Sequence, residues 1–205
     1  MYLLYSFNTP NGLKPTILLE ELGVDYKIKI IDIREGEQFK PEFLKISPNN
    51  KIPALVDEET GLSLFESVAI LQYLAEKHGK FLPTDLTEKF KVMPWCYFQV
   101  GHVGPMFGQF GHFHKFAKED VPYAKKRYAE ESMRIMGVME RQLATHEFIS
   151  GEHYTIADMA IWPWIYGYQR YYESGIDKKQ FPSLTRWYEQ IGKRKAVKAA
   201  LAAYE

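Results

Sequence analysis

Cysteine is nearly absent from this chain: Cys96 stands alone among 205 residues. An internal disulfide and a Cys-x-x-Cys redox pair are therefore excluded. Cys96 lies in Met93-Pro94-Trp95-Cys96-Tyr97-Phe98, an apolar and aromatic setting. Reactive thiols need an electropositive, accessible one, so Cys96 reads as buried and inert. Any sulfur chemistry must use sulfur brought in from outside. An excess of one charge is lacking too, with Lys+Arg and Asp+Glu at 26 each, which removes the electrostatic case for nucleic acid or an anionic membrane. No apolar run reaches the roughly 18 residues of a membrane span. The opening Met1-Tyr2-Leu3-Leu4-Tyr5-Ser6-Phe7 has no basic segment before it and is too short for a secretory signal, so the expectation is a cytoplasmic protein. Repeats, low-complexity tracts and long linkers are missing as well. His112 and His114 flank Phe113 at i, i+2, which is not one helix face, and no carboxylate or cysteine sits near them at ligand spacing, so no metal site is expected.

What is present is a core. Hydrophobic residues make up 46% of the chain and aromatics 15%, enough for one large or two small domains. Residues 2–7 form a short apolar run closed by Asn8-Thr9-Pro10-Asn11-Gly12, which reads as strand then loop. Ile17, Leu18, Leu19 and Leu22 follow helical spacing and Gly23 stops the helix; residues 26–31 are a second strand. This is a βαβ unit. A short helix over 41–46, a hairpin from 54–57 and 62–64 around Thr60-Gly61, and a helix opened by Glu66 follow. The order βαβ then ββα fits a thioredoxin-like domain over residues 1–80. Beyond Phe81-Leu82-Pro83-Thr84-Asp85 only helical periodicity appears, which predicts an all-helical domain over 87–205. Within it, 123–143 is a long charged helix. Thr155-Ile156-Ala157-Asp158 reads as an N-cap, opening a core helix that Pro163 should kink. Phe181-Pro182-Ser183 starts another helix with Leu184, Trp187 and Ile191 inward.

The stretch Phe43-Leu44-Lys45-Ile46-Ser47-Pro48-Asn49-Asn50-Lys51-Ile52-Pro53-Ala54 carries the most information. It turns at Pro48-Asn49-Asn50 and enters a strand through Ile52-Pro53. Proline at a strand mouth donates no ladder hydrogen bond. With a cis bond before it, Ile52 can turn its backbone N–H and C=O toward a groove and hold a small extended peptide. A plain structural turn is the competing reading of the same residues.

An α/β domain with Ile52-Pro53 and Glu66-Ser67, followed by a helical domain with Thr155-Ile156-Ala157-Asp158, resembles the cytosolic glutathione transferases over essentially the whole chain. Thr9-Pro10-Asn11-Gly12, the Ser47-to-Ala54 segment and Gly104-Pro105-Met106-Phe107-Gly108-Gln109 resemble those of the bacterial Nu class, whose activity is glutathione-dependent disulfide-bond reduction; fungal nitrogen-regulator relatives share much of the pattern. The resemblance implies a homodimer. It also implies glutathione as substrate or bound co-substrate, with a small disulfide or electrophile as the second partner.

Glutathione needs a backbone strip for its middle and charged groups for its ends. Ile52, before Pro53, would supply the strip. Ser67 lies in the first turn of a helix, where N–H groups and the dipole attract a carboxylate, and Glu66 could pair with the γ-glutamyl ammonium. Both residues can also cap their helix. The resemblance adds Gln38, Asn50 and Lys51 on loops beside the groove, and Arg127 for the glycyl carboxylate, a role that suits a forked guanidinium.

Thioredoxin-like reductases carry a cysteine where this chain has Thr9. Thr9 can hold the glutathione thiolate, with the Asn11 amide or the opening helix N–H groups as second donor, although one of the two residues must also cap the helix. Each unit of thiol pKa lowering needs roughly 1.4 kcal/mol of differential stabilisation. Charge-assisted hydrogen bonds of about 1.5–3 kcal/mol can supply it. Tyr2 and Tyr5 read as core. Phe107, Phe110, Phe113, Phe116, Trp164 and Tyr168 fit either an apolar second-substrate surface between the domains or plain core. Conjugation of electrophiles, reduction of organic hydroperoxides, and a non-catalytic regulatory module are the rival functions on this scaffold.

Overall fold

The structure is a computed structural model and describes residues 1–204. The strands are β1 (Tyr2–Ser6), β2 (Tyr26–Ile30), β3 (Ala54–Asp57) and β4 (Leu62–Phe65). The helices are α1 (Pro10–Leu22), α2 (Pro41–Leu44), α3 (Ser67–His78), α4 (Leu86–Phe98), α5 (Gly104–Gly111), α6 (Pro122–Leu143), α7 (Ile156–Arg170), α8 (Pro182–Gly192) and α9 (Lys195–Ala202). They divide into two compact units: Met1–Thr84 together with the chain from Arg194 onward, and Asp85–Lys193. Among the described residues no helix is long and apolar enough to cross a membrane.

The first unit is thioredoxin-like. Its four-stranded sheet has the order β2-β1-β3-β4, with β1 and β2 parallel and both other pairs antiparallel. α1 packs against α3 and α9 and is buried on almost every side, with Leu13, Ile17, Leu18 and Leu19 all at 0% exposure. Burying each such side chain contributes about 1.5–3 kcal/mol. α1 ends at Gly23, whose left-handed φ of 66° lets its N–H reach the carbonyls of Glu20 and Leu19. The far end of α3 is tied to β3 through Asp57, which is 1% exposed and accepts from Tyr73 Oη, Lys77 Nζ at 2.6 Å and the Glu59 N–H at 3.0 Å. Tyr2 is core, its hydroxyl 2.8 Å from His78 Nε2, and Tyr5 packs on Phe43.

The second unit is built on α7, which runs unbroken through Pro163. Its capping box is the one expected: Thr155 Oγ1 accepts the Ala157 N–H, and Asp158 accepts the Thr155 N–H at 2.9 Å. Asp158 is fully buried and also accepts from the Ile149 N–H and from Trp187 Nε1, joining α7, its preceding loop and α8. Two π-helical turns, Gln99–Val103 and His112–Phe116, flank α5 and carry no simple periodicity in the sequence. Of the aromatics left open between core and substrate surface, Phe107, Phe110, Trp164 and Tyr168 are buried, and Phe110 stacks on Tyr168 with centroids 5.0 Å apart. Phe116 is exposed.

Candidate functional site

Strand register gathers residues far apart in sequence at one end of the sheet of the first unit. Tyr5 lies opposite Ala54, and Ala54 opposite Phe65. One step outward along each strand come Ser6, Pro53 and Glu66. The Thr9 turn, the Ile52-Pro53 junction and the start of α3 therefore leave the sheet from the same end. β2 also exits there, since Ser6 pairs with Ile30, and the segment carrying Gln38 follows it.

Thr9 is the N-cap of α1, its Oγ1 accepting the Gly12 N–H at 3.1 Å. Its O–H points to the Phe7 carbonyl at 3.4 Å, a long contact that leaves the donor free to turn to a better acceptor. Asn11 follows in the first turn, partly exposed. Gly12 is required by close approach: a Cβ there would sit 2.1 Å from the Phe7 carbonyl oxygen and 2.5 Å from Ser6 Oγ. The β1–α1 turn is thus pressed tightly onto the strand end.

The Ile52–Pro53 bond is cis. Buried Ser47 donates to the Lys51 carbonyl at 2.8 Å, bracing the loop that precedes it. Ile52 packs on Ile31, Phe43 and Ala54, while the Lys51 side chain is exposed. Asn50 sits at a left-handed φ of 53°. Its Oδ1 is buried without a hydrogen-bond partner, and so is Oε1 of Gln38, whose amide nitrogen donates to the Ile33 carbonyl at 3.2 Å. Buried acceptors of this kind are uncommon and suit a ligand that brings N–H donors.

Glu66 precedes α3 at φ 69°, a left-handed conformation that costs a non-glycine residue on the order of 1–3 kcal/mol. Its side chain is exposed and makes no cap bond to the helix. Ser67, the first residue of α3, is 8% exposed. Its Oγ accepts from Lys14 Nζ at 3.0 Å. Sequence reasoning missed Lys14, which is 1% exposed inside α1. The available signal was a charge on the apolar stripe, since Lys14 precedes Ile17 and Leu18 by three and four positions.

The remaining candidates lie in the second unit. Arg127 is exposed on α6, in a surface depression with Met106, Tyr128, Glu130, Glu131 and Arg134. Glu131 pairs with Arg134 at 2.7 Å, and that hydrogen-bonded pair holds the Glu131 carboxyl below its usual range. Cys96 is at 0% exposure in α4. His114 stacks on Phe110 and His112 lies edge-on to Phe113; among the described residues no cluster of metal-ligating side chains occurs.

One end of the sheet of the first unit thus joins a capped hydroxyl turn, a cis-proline junction and the start of a helix. The family model for the glutathione S-transferase N-terminal domain matches residues 1–76, and that for the C-terminal domain matches residues 122–190. The chain belongs to the glutathione S-transferase family. It is 45% identical over 203 residues to the disulfide-bond oxidoreductase YfcG of Escherichia coli, covering 97% of this chain and 93% of that protein. A glutathione transferase family member from Pseudomonas fluorescens, solved with two glutathione bound, superposes with a TM-score of 0.94 at 42% identity, covering 98% of this chain and 92% of the other. A glutathione transferase from Pseudomonas putida, solved with one glutathione disulfide per subunit, gives 0.92 at 40% identity, covering 98% and 90%.

Proposed function

We propose that this protein is a glutathione-dependent thiol–disulfide oxidoreductase whose reactive sulfur belongs to glutathione. The observation that carries the reading is the placement of polar groups: a hydroxyl and an amide, Thr9 and Asn11, stand at the strand end, while the chain's single thiol, Cys96, is fully buried. The disulfide-bond oxidoreductase name of the Escherichia coli relative, and the glutathione disulfide held by the Pseudomonas putida relative, support the same chemistry.

Glutathione lies along Ile52, with its γ-glutamyl carboxylate at the start of α3 against Ser67 and its ammonium toward Glu66. Gln38 and Asn50 accept its N–H groups, and Lys51 flanks it. The Thr9 hydroxyl and the Asn11 amide donate to the sulfur and favour the thiolate. The thiolate attacks one sulfur of a small disulfide, forming a mixed disulfide and expelling a thiolate that takes up a proton. A second glutathione thiolate attacks the glutathione sulfur of that mixed disulfide. The second substrate thiol leaves, again taking a proton. Two glutathiones are oxidised to glutathione disulfide and one substrate disulfide is reduced to two thiols. The reading includes a homodimer, for which Leu86, Phe90 and Tyr97, all at least 61% exposed along one face of α4, offer an apolar surface.

Disulfide reduction assayed with glutathione tests the mechanism. Cys96→Ala should retain turnover, whereas Asn11→Ala should lower turnover more than it lowers glutathione affinity. Loss of activity in a folded Cys96→Ala protein overturns the cysteine-free mechanism, and an unchanged rate in Asn11→Ala removes Asn11 from it. Parallel assays with an aromatic electrophile and an organic hydroperoxide measure the rival activities.

A further inference from the structure

Tyr204 follows α9 and reaches back to the turn that carries Thr9, contacting Gly12 across 192 residues of chain. Its hydroxyl donates to Ser6 Oγ at 2.7 Å and lies 2.8 Å from Thr16 Oγ1 and 3.3 Å from the Gly12 carbonyl oxygen. Thr16 Oγ1 also donates to that carbonyl, at 3.0 Å. Each hydroxyl has one proton to give, so these four groups form a linked set and not separate pairs. Burial pushes the phenol above its ordinary range, which keeps it a protonated donor.

Holding α9 on α1 does not require these hydroxyls. Val197 and Ala200 of α9 are at 0% exposure, α9 packs against α1, and Arg194 pairs with Glu21. Ser6 and Thr16 are fully buried as well, and buried hydroxyls cost stability unless their partners are well directed. What they add is direction, and Gly12 is where direction is needed. Close approach to the Phe7 carbonyl and to Ser6 Oγ forbids a side chain there. Glycine also has the freest backbone of any residue, so the turn is loosest at the point where it is pressed tightest. Gly12 is held on both sides: its N–H donates to Thr9 Oγ1 at 3.1 Å, and its carbonyl accepts from the hydroxyl set. A helical carbonyl already accepts the N–H four residues on, so the hydroxyl contacts exceed what the helix itself needs.

Resting on the glutathione reading and its role for Thr9, we propose that Tyr204 is a positioning residue for the glutathione sulfur. It fixes Gly12, and through the Gly12 N–H it fixes the Thr9 hydroxyl that donates to the thiolate. Hydrogen bonds weaken steeply when donor and acceptor lose alignment, so a small tilt of Gly12 carries Thr9 Oγ1 off the line to the sulfur. The groups that hold the rest of the tripeptide lie on other segments. Tyr204 therefore bears on ionisation of the bound thiol and not on affinity for the tripeptide.

Tyr204→Phe removes one oxygen and keeps the ring. Two measurements test it: the pKa of the bound glutathione thiol, from thiolate ultraviolet absorbance, and calorimetric affinity for S-methylglutathione, whose sulfur cannot ionise. The thiol pKa should rise by at least about 0.5 units, a fraction of what losing a whole charge-assisted hydrogen bond would give. S-methylglutathione should bind within about twofold of wild type. In a Thr9→Val background the same substitution should add less than about 0.2 units, because Tyr204 acts through Thr9. Val197→Ala, which loosens α9 without touching a hydroxyl, should lower stability and leave the thiol pKa at its wild-type value. A folded Tyr204→Phe protein with the wild-type thiol pKa overturns the proposal. A shift that persists in full without the Thr9 hydroxyl, or that Val197→Ala reproduces, also overturns it. If Tyr204→Phe does not fold, Thr16→Val, which removes the hydroxyl touching both Tyr204 and the Gly12 carbonyl, decides on the same measurements. A wild-type protein that binds no glutathione, or binds it with the thiol pKa of the free ligand, overturns the glutathione reading itself, an outcome seen before any variant is made.

Discussion

Replacing Thr9 by valine removes a hydroxyl while keeping the shape of the side chain, and it separates the two tasks that the turn assigns to that oxygen. The first task is visible: Oγ1 accepts the Gly12 N–H at 3.1 Å and caps α1. Losing an N-cap costs about 0.5–2 kcal/mol of stability. The second, on the proposed mechanism, is donation to the bound sulfur, open to Thr9 because its present donor contact, to the Phe7 carbonyl, is 3.4 Å long. A hydrogen bond to a charged acceptor contributes about 1.5–3 kcal/mol. At roughly 1.4 kcal/mol per unit, Thr9→Val should raise the pKa of the bound glutathione thiol by about one to two units.

Ultraviolet absorbance of the thiolate, titrated against pH in the glutathione complex, measures that pKa directly. S-methylglutathione, whose sulfur cannot ionise, serves as the control, and its affinity should change little in the variant. Thr9→Ser keeps the hydroxyl and should restore both stability and thiol pKa. A Thr9→Val protein with lowered stability but a bound-thiol pKa within about 0.3 units of wild type would refute the reasoning. Thr9 would then cap the helix and nothing more.

Two further expectations concern the framework. Asp158→Ala leaves the Ile149 N–H, the Thr155 N–H and Trp187 Nε1 without their carboxylate. At about 1–3 kcal/mol for each buried orphan, less some relaxation, the loss should be about 3–5 kcal/mol in urea unfolding. All four tryptophans lie in the second unit, so indole fluorescence follows the right part of the chain, and a loss below about 1 kcal/mol would contradict the accounting. Asp57 predicts a pH dependence: burial pushes its carboxyl up, but hydrogen bonds from Lys77, Tyr73 and the Glu59 N–H outweigh burial and hold it at about 2 against an ordinary 3.8. A depressed carboxyl stabilises the fold above its unfolded pKa and loses that effect as pH falls. The stability advantage of wild type over Asp57→Asn should be full above about pH 5 and lost by about pH 1; an advantage that grows on acidification would contradict it.

Much of this was legible in the sequence where local chemistry and tertiary structure agree. Gly23 stops α1 and Thr155 with Asp158 caps α7, because turn and cap residues act on their own neighbours. The βαβ and hairpin order emerged from apolar runs and their punctuation. The segments bearing Thr9, Ile52-Pro53 and Glu66-Ser67 could be singled out one by one. Their meeting in one place came only through the family resemblance, since local chemistry does not give the register Tyr5–Ala54–Phe65. The π-helical turns around α5 were illegible for a similar reason: a fifth-residue hydrogen bond leaves no repeating apolar stripe.

Lys14 exposes a more general reason why second-layer residues escape sequence reading. The buried polar residues of the first unit are Ser6, Lys14, Thr16, Ser47, Asp57 and Ser67. Each costs stability unless paired, so each needs a reason to be inside. Asp57 ties α3 to β3. The others converge on the sheet end where the Thr9, Ile52-Pro53 and Ser67 segments meet: Ser47 holds the Lys51 carbonyl, Lys14 holds Ser67, and Ser6 and Thr16 meet the Tyr204 hydroxyl at 2.7 and 2.8 Å beside Gly12. In a linear sequence such residues look like interruptions of a hydrophobic pattern. In the fold they fix three backbone turns that a hydrophobic core alone would leave loosely oriented. On the proposed mechanism the reactive thiol is glutathione's and the chemistry has no covalent anchor, so the precision must come from how rigidly those turns are held.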